Sequence, residues 1–206
     1  MKYKIIVSRF NENINWLNSE AENCIIYNKG EKIGVKNEIM LPNVGRESET
    51  YLNYIIKEYE NLPELLIFTQ GSISQHQRGG INYLLKIAKE AEELGMSKPT
   101  VIHFKGGREE VYWGGEFNFI SKDYQLGKLP YLNNKKIKFS EWFEEKFAIK
   151  YPNPISISKN GIFAVKKSVI IKNSLSMYQD LIKSVNYSIN PVEGHFFERS
   201  WHYLFK

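Results

Sequence analysis

Four titratable residues stand at helical spacing near the carboxy end of the chain. Taken at about 100° per residue from His195, the residues Glu198, Arg199 and His202 fall at about 300°, 40° and 340° around a helix axis. The four side chains therefore share an arc of roughly 100°, opposite a run of large apolar residues. A carboxylate on such a face can accept a proton, and an arginine can offset phosphate charge. The pattern indicates either a face that lines a cleft or an ordinary surface on which Glu198 and His202 form an i,i+4 pair.

Two further polar segments follow apolar runs that the sequence predicts to be strands. Residues 9–12 follow the first run, and residues 70–76 follow a run apolar enough for a buried strand. In open α/β sheets, ligands bind beyond the carboxyl ends of the strands. Arg9 and Asn11 could therefore recognise a nucleotide base, a ribose or a phosphate. The alternative is a solvated turn in which Asn11 or Asn13 caps a helix.

Sequence motifs of several enzyme classes are missing. The glycine pairs at 79–80 and 106–107 are not followed by Lys-Ser or Lys-Thr, and no predicted strand runs into Gly-x-Gly-x-x-Gly. Gly-x-Ser-x-Gly and His-Glu-x-x-His are absent as well. These absences weigh against P-loop ATPases, dinucleotide-binding enzymes, serine hydrolases and zinc proteases.

Alternating strand and helix signals predict the elements that must position these residues. Strands are predicted at 3–8, 24–27, 65–69 and 100–104, helices around 51–59, at 81–94, at 140–149 and after Pro191 to about Phe205, helical segments within 166–187, and a β-hairpin at 155–165. Gly95 and Ser140 are the predicted helix caps, and Asn160-Gly161 is the hairpin signal. Strands that alternate with helices need crossover connections. The prediction is a Rossmann-like α/β fold with a mostly parallel central sheet flanked by helices and a carboxy-terminal hairpin and helices.

The composition is that of one folded domain over residues 1–206. Hydrophobic residues make up 42% of the chain and charged residues 25%, which suits a closed core and excludes extensive disorder. No run approaches the roughly 18 apolar residues of a membrane span, and the first residues turn polar too soon for a secretory signal. We therefore expect a cytoplasmic protein. The single cysteine, Cys24, excludes an internal disulfide, and we expect a buried, inert thiol.

The net charge of +5 favours a polyanionic partner only weakly. The 28 basic residues include five arginines and are scattered along the chain. Base-reading proteins cluster their basic residues and use arginine to contact guanine. A nucleic acid partner is therefore disfavoured, and a phosphorylated small molecule fits better.

Five groups of residues carry a resemblance to a known family. They are Val7-Ser8-Arg9-Phe10-Asn11-Glu12 with Trp16, Tyr27-Asn28-Lys29-Gly30, residues 41–47 with Thr50-Tyr51, Phe68-Thr69-Gln70-Gly71 with His76, and Gly194-His195 with Glu198-Arg199 and Trp201. Over nearly its whole length the chain resembles a fungal and viral domain family labelled as of unknown function and placed with the GT-A glycosyltransferases. It is similar to a chlorovirus glycosyltransferase domain of similar length. For a viral member, the expected location is the cytoplasm of the host cell.

The resemblance implies a GT-A-like fold and transfer of a sugar, with inversion, from a nucleotide-sugar donor to a saccharide or glycan acceptor. The donor would lie across the ends of the parallel strands. Its predicted contacts are Ser8, Arg9, Asn11, Arg46, Gln70, Gly71 and Arg199, of which Arg9, Asn11 and Arg46 are carried over by position. Glu193 and Glu198 are the candidate bases, and His195 is a further candidate catalytic residue.

A divalent cation, Mn²⁺ or Mg²⁺, is the cofactor that the resemblance brings with it. GT-A enzymes usually hold this ion through Asp-x-Asp after a central strand, whereas residues 72–76 here contain no carboxylate. His76 and His195 are then the candidate metal ligands. Arginine or lysine could offset the charge of the leaving phosphates in place of the ion.

Two other functions stay open on the sequence alone. A sugar-nucleotide or glycan binding module would keep the fold and lose transfer, which the missing Asp-x-Asp favours. A basic nucleic acid binder is the weaker alternative. The enzyme hypothesis requires the first strand, the central turn after residue 70 and the last helix to surround one hollow.

Overall fold

The computed structural model describes residues 2–73, 79–102 and 139–206. Its strands are β1 (Tyr3–Arg9), β2 (Cys24–Asn28), β3 (Glu38–Met40), β4 (Leu65–Gln70), β5 (Thr100–Ile102), β6 (Ile155–Ile157) and β7 (Phe163–Lys166). Its α-helices are α1 (Arg46–Glu58), α2 (Ile81–Leu94), α3 (Phe139–Phe147), α4 (Lys167–Ile170), α5 (Leu175–Lys183) and α6 (Val192–Leu204). Short 3₁₀ segments cover Asn15–Asn23, Tyr59–Asn61 and Lys159–Gly161.

The main sheet has five strands in the order β3-β2-β1-β4-β7. The strands β1 to β4 run parallel, and β7 is antiparallel to β4. From β1 the chain moves outward to β2 and β3, and then returns through α1 to place β4 on the other side of β1. The direction of winding therefore reverses between β1 and β4, where Ser8 lies opposite Gln70. Such a reversal opens a crevice at the carboxyl ends of the two strands.

Hydrophobic cores cover both faces of this sheet. Side chains alternate along β1, so that Ile6 packs with α1 and α6 on one face while Ile5 and Val7 pack with α2 on the other. The first core is rich in aromatic rings, among which Trp201 and Phe163 lie 5.3 Å apart. The prediction of a mostly parallel sheet flanked by helices is confirmed.

Several predicted elements appear at their predicted places. Helix α2 spans Ile81–Leu94, and Gly95 follows it with a positive φ of 90°, the backbone conformation that glycine adopts without strain. The apolar run beginning at Leu65 is an internal strand that is buried on both faces. The last helix begins directly after Pro191.

The predicted hairpin is wrong in its pairing, although its turn exists. Asn160 and Gly161 take φ values of 59° and 66°, as a tight turn requires. The strands on either side then separate: β6 pairs with β5 in a small antiparallel sheet, and β7 joins the main sheet beside β4. This arrangement buries Phe163 completely in the aromatic core, which a two-stranded ribbon could not do.

Two other predictions need correction. The strand predicted at 100–104 is described over Thr100–Ile102 and pairs with β6 outside the parallel sheet. The predicted cap Ser140 lies within α3, which already includes Phe139 and ends at Phe147. Residues 103–104 lie outside the described part of the chain.

Cys24 is buried in β2, as expected, and burial raises the pKa of its thiol to about 12. At pH 8 only about one thiol in ten thousand would then be ionised, and the thiolate is the reactive form. We expect almost no reaction of the native protein with 5,5′-dithiobis(2-nitrobenzoate) over an hour. In guanidinium chloride one thiol per chain should react at once. Rapid labelling of the folded protein would contradict this environment.

Within the described residues, no helix has both the length and the apolar character needed to cross a membrane.

Candidate functional site

A cavity of about 430 Å³, called the polar cavity below, lies where β1 and β4 end. It occupies the crevice created by the reversal of winding, because Ser8 and Gln70 line it side by side. The other polar or charged residues in its wall are Arg9, Glu12, Lys29, Asn43, Arg46, Glu47 and Asn190. Predicted donor-binding residues from the first strand, the central strand and the start of α1 therefore meet in one place.

Arg46 enters the polar cavity from the first residue of α1. Its φ is 53° and that of Gly45 is 66°, so the chain turns sharply into the helix. Lys29 holds this turn, because its buried ammonium group donates hydrogen bonds to the carbonyl groups of Val44 and Arg46. Its charge is balanced by Glu49 Oε2, which lies 2.8 Å from Nζ. The turn sets the direction in which the Arg46 side chain leaves the backbone.

His195 connects the last helix to the cavity through Arg46. Nη1 of Arg46 lies 2.7 Å from Nε2 and 2.8 Å from Nδ1 of His195, and Nε2 is also 3.0 Å from Oδ1 of Asn190. Burial, followed by the charges of Arg46 and Arg199, lowers the pKa of His195 to about 2. The imidazole is therefore neutral at physiological pH and orients Arg46 without cancelling its charge.

Glu198 and Arg199 form a partly buried ion pair beside this contact. Nη1 of Arg199 lies 3.3 Å from Oε2 of Glu198 and donates a hydrogen bond to the His195 carbonyl at 2.8 Å. Burial raises the pKa of Glu198, and nearby Glu47 adds to the rise while Arg199 opposes it. Neither residue of this pair lines the polar cavity. The predicted pairing of Glu198 with His202 is replaced by the pairing with Arg199.

Glu193, the other predicted base, lies on the same helix and pairs with Tyr187. It is buried in the first turn of α6, and its Oε2 accepts a hydrogen bond of 2.6 Å from the Tyr187 hydroxyl. It does not line the polar cavity. The neighbouring Gly194 leaves room for Arg46, whose Cδ would lie 3.5 Å from a Cβ at that position.

Arg9 and Asn11 organise the loops around the crevice. The guanidinium group of Arg9 donates to Oδ1 of Asn28 at 2.8 Å and to the carbonyl groups of Phe10, Glu12 and Glu31. Oδ1 of Asn11 accepts a hydrogen bond of 2.9 Å from the amide of Glu31. Arg9 thus lines the cavity while its guanidinium group holds the surrounding loops, and Asn11 is exposed outside the cavity.

The end of β4 is fixed by hydrogen bonds on both sides. Nε2 of Gln70 donates to the Asn160 carbonyl at 2.8 Å, and the Gly71 amide donates to the Ser8 carbonyl at 2.8 Å. Trp16 Nε1 donates to the Gly71 carbonyl at 2.9 Å. These contacts join the strand to the turn before β7 and to the 3₁₀ segment.

A second cavity of about 400 Å³ adjoins the polar cavity. Arg9 and Glu12 line both cavities. The inner wall of the second one includes Leu17, Cys24 and Ile26, and the amide side chains of Asn13, Asn15 and Asn18 also line it. Glu22 and Lys36 stand in its wall too, so the second cavity is lined mainly, but not entirely, by apolar residues and asparagines.

The described residues do not fit a divalent cation. No group of three or more His, Cys, Asp and Glu side chains with metal-binding geometry occurs in the described ranges. Both ring nitrogens of His195 lie against the Arg46 guanidinium, which is itself a cation. His76 lies outside the described residues. We therefore assign no catalytic role to a metal at these residues.

Three residues of this site, Lys29, Glu47 and Asn190, were not among the residues to which the sequence analysis gave a role. Glu47 lies in the first turn of α1, where the helix dipole favours an acidic residue. Its position in the sequence therefore has a structural explanation and does not indicate that it lines the cavity. Lys29 looks like a loop lysine, and Asn190 lies in the segment before the last helix. The pairing of Lys29 with Glu49 and of Asn190 with His195 depends on tertiary contacts. Only the resemblance marked Lys29 and Glu47, as members of its motif.

Fold and site together define an α/β protein with a ligand-sized cavity at the reversal of a mostly parallel sheet. The chain belongs to the family described as Protein of unknown function (DUF3431), whose model matches residues 5–206. No curated protein and no solved structure matches the chain.

Proposed function

We propose that the protein is a GT-A-type glycosyltransferase that moves a sugar from a nucleotide-sugar donor to a hydroxyl of a saccharide acceptor. The polar cavity at the reversal between β1 and β4, with Arg46 in its wall, carries the proposal. Open α/β sheets bind nucleotides at this place. The planar guanidinium fork of arginine suits phosphate oxygens. The residue groups that carry the family resemblance contribute much of this wall.

The two adjoining cavities support a ligand with two unlike parts. Apolar residues and asparagines make up most of the lining of the second cavity, which suits the faces and the hydrogen-bonding edge of a nucleobase. The polar cavity would take the diphosphate and the sugar. A nucleotide sugar that spans both would pass Arg9 and Glu12, because these two residues line both cavities.

Arg46 is the proposed partner of the leaving diphosphate. In the reaction the bond between the anomeric carbon and the diphosphate oxygen breaks, and its electron pair stays on that oxygen. A preorganised cation beside this oxygen stabilises the developing charge. The neutral ring of His195 contacts the Arg46 guanidinium group, and Asn190 in turn contacts that ring. Lys29 holds the Arg46 backbone through a hydrogen bond to its carbonyl group.

Incubation with a panel of sugar nucleotides tests the function. UDP-glucose, UDP-galactose, UDP-N-acetylglucosamine, GDP-mannose and dTDP-rhamnose are supplied with and without Mn²⁺, and nucleoside diphosphate release is measured. We expect slow hydrolysis of at least one donor, with water as acceptor. Binding of a donor without release of the diphosphate would support the binding module instead. No binding to any donor would overturn both the glycosyltransferase and the sugar-nucleotide binding module, and salt-sensitive binding to DNA or RNA would favour the nucleic acid alternative.

Arg46→Met should weaken binding of the matching nucleoside diphosphate about 10- to 100-fold, as expected for the loss of charge-assisted hydrogen bonds. The substitution keeps an unbranched side chain and removes the guanidinium group with its charge. Lys172→Met is the matched control, because it removes the same charge at an exposed position outside both cavities. Isothermal titration calorimetry gives both affinities. Equal affinity of the Arg46 variant and the control would contradict the assignment of Arg46.

A further inference from the structure

Two carboxylates stand in the wall of the polar cavity, and neither is a base that the sequence predicts. Glu12 and Glu47 are the acidic lining residues, whereas Glu193 and Glu198 lie outside the wall. Oε2 of Glu12 accepts a hydrogen bond of 2.6 Å from the Phe10 amide, and Glu12 also lines the second cavity. Glu12 therefore belongs to the junction of the two cavities. Glu47, by contrast, lines the polar cavity and not the second cavity.

Glu47 has an incomplete set of hydrogen bonds. Its side chain is 6% exposed, and its Oε2 lies 3.4 Å from Nε of Arg46. Its Oε1 is buried without a hydrogen-bond partner in the described part of the chain. A buried carboxylate oxygen without a donor is unfavourable, so that a hydroxyl group brought in by a ligand would improve the site. Oε1 of Glu47 is therefore an acceptor atom that a ligand hydroxyl could meet, beside Arg46.

The surroundings of Glu47 are built from rigid elements. It stands in the first turn of α1. Lys29 donates a hydrogen bond to the Arg46 carbonyl in this turn, and the Ser48 hydroxyl donates one to the Gly194 carbonyl of α6. Gly161 packs against it, since a Cβ at Gly161 would lie 3.5 Å from Oε1 of Glu47. The carboxylate is thus held at a defined position, as a group that must meet a reacting hydroxyl requires.

We infer that Glu47 is the general base of the proposed transfer reaction. The inference rests on the proposed function. The acceptor oxygen forms a bond to the anomeric carbon while the bond from that carbon to the diphosphate oxygen breaks. The proton of the acceptor hydroxyl passes to the carboxylate of Glu47, and the diphosphate leaves with the electron pair beside Arg46. With water as acceptor, the same step gives the free sugar.

The test uses the full chain, water as acceptor and the sugar nucleotide that the wild-type protein hydrolyses fastest. Glu47→Gln keeps the shape of the side chain and removes the basic oxygen. We expect kcat to fall about 10²- to 10⁴-fold while KM for the donor changes less than about threefold. Glu58→Gln makes the same change at the other end of α1, outside both cavities, and should leave kcat unaltered.

Chemical rescue separates a base from a structural residue. In Glu47→Ala, sodium formate should restore turnover in proportion to its concentration, because formate can supply the missing carboxylate. The Glu58 control and the wild-type protein should not respond. Circular dichroism and thermal unfolding establish that each variant is folded before its kinetics are compared.

The outcomes distinguish this inference from the function on which it rests. If the wild-type protein hydrolyses a donor and Glu47→Gln is equally fast, the inference is overturned and the function stands. The same holds if Glu193→Gln or Glu198→Gln abolishes turnover while Glu47→Gln does not. If the wild-type protein hydrolyses no donor, both are overturned.

Discussion

Replacing Lys29 with methionine is expected to lower the free energy of unfolding by about 3–5 kcal/mol. The ammonium group and Glu49 form an ion pair whose side chains are 3% and 7% exposed. Methionine would fill a similar volume but leave the Glu49 carboxylate buried without its cation. The carbonyl groups of Val44 and Arg46 would also lose their donor. Urea unfolding followed by circular dichroism measures the change.

Two comparisons make the Lys29 result decisive. Lys36→Met removes a lysine that lies equally close, 2.8 Å, to Glu22. The side chains of Lys36 and Glu22 are, however, 72% and 78% exposed. It should leave stability nearly unchanged, because exposed pairs are screened by solvent. Adding Glu49→Leu to Lys29→Met should recover part of the loss, since the unpaired charge is removed. If Lys29→Met were as stable as Lys36→Met, the buried pair would not hold the start of α1.

Local sequence signals predicted the elements well where one face of each element had to be buried. The stripe that includes Tyr51 and Ile55 and the run beginning at Leu65 became α1 and β4, since their apolar spacing matches their structure. The turn at Asn160-Gly161 was also predicted, because its φ values are a local property. The partners of β6 and β7 were not, because pairing is decided by distant strands.

In the candidate site too, features set by local structure could be predicted from the sequence, and features set by tertiary packing could not. That Ser8 and Gln70 lie at neighbouring strand ends could be predicted, because parallel strands bring their carboxyl ends to one edge. The apolar face of α6 was also predicted correctly, since Trp201 and its neighbours are buried. That His195 approaches Arg46, 149 residues away along the chain, depends on how α6 packs against α1. The placement of Glu47 in the wall depends on the same packing.

Gly30→Ala is expected to lower the free energy of unfolding by about 3 kcal/mol or more, because overpacking at this position must displace backbone. A Cβ at Gly30 would overlap the carbonyl oxygen of Phe10 and the amide oxygen of Asn11. The same Phe10 carbonyl accepts a hydrogen bond from Arg9, which joins residues 10, 12, 28 and 31. Moving this carbonyl would therefore disturb every loop that Arg9 holds. Chemical unfolding measures the loss, and the affinity for the matching nucleoside diphosphate should fall with it.

Gly34→Ala shows whether steric overlap, rather than the loss of glycine itself, causes the effect of Gly30→Ala. Gly34 lies four residues away in the same loop, and a Cβ there would meet nothing within 4 Å. Its φ of 71° still makes alanine unfavourable, by about 1–2 kcal/mol. Gly30→Ala should therefore be the more destabilising of the two, although no positive φ adds to its cost. Equal losses in the two variants would mean that the loop yields to a methyl group, and that the Arg9 network does not depend on the close approach of Gly30 to Phe10.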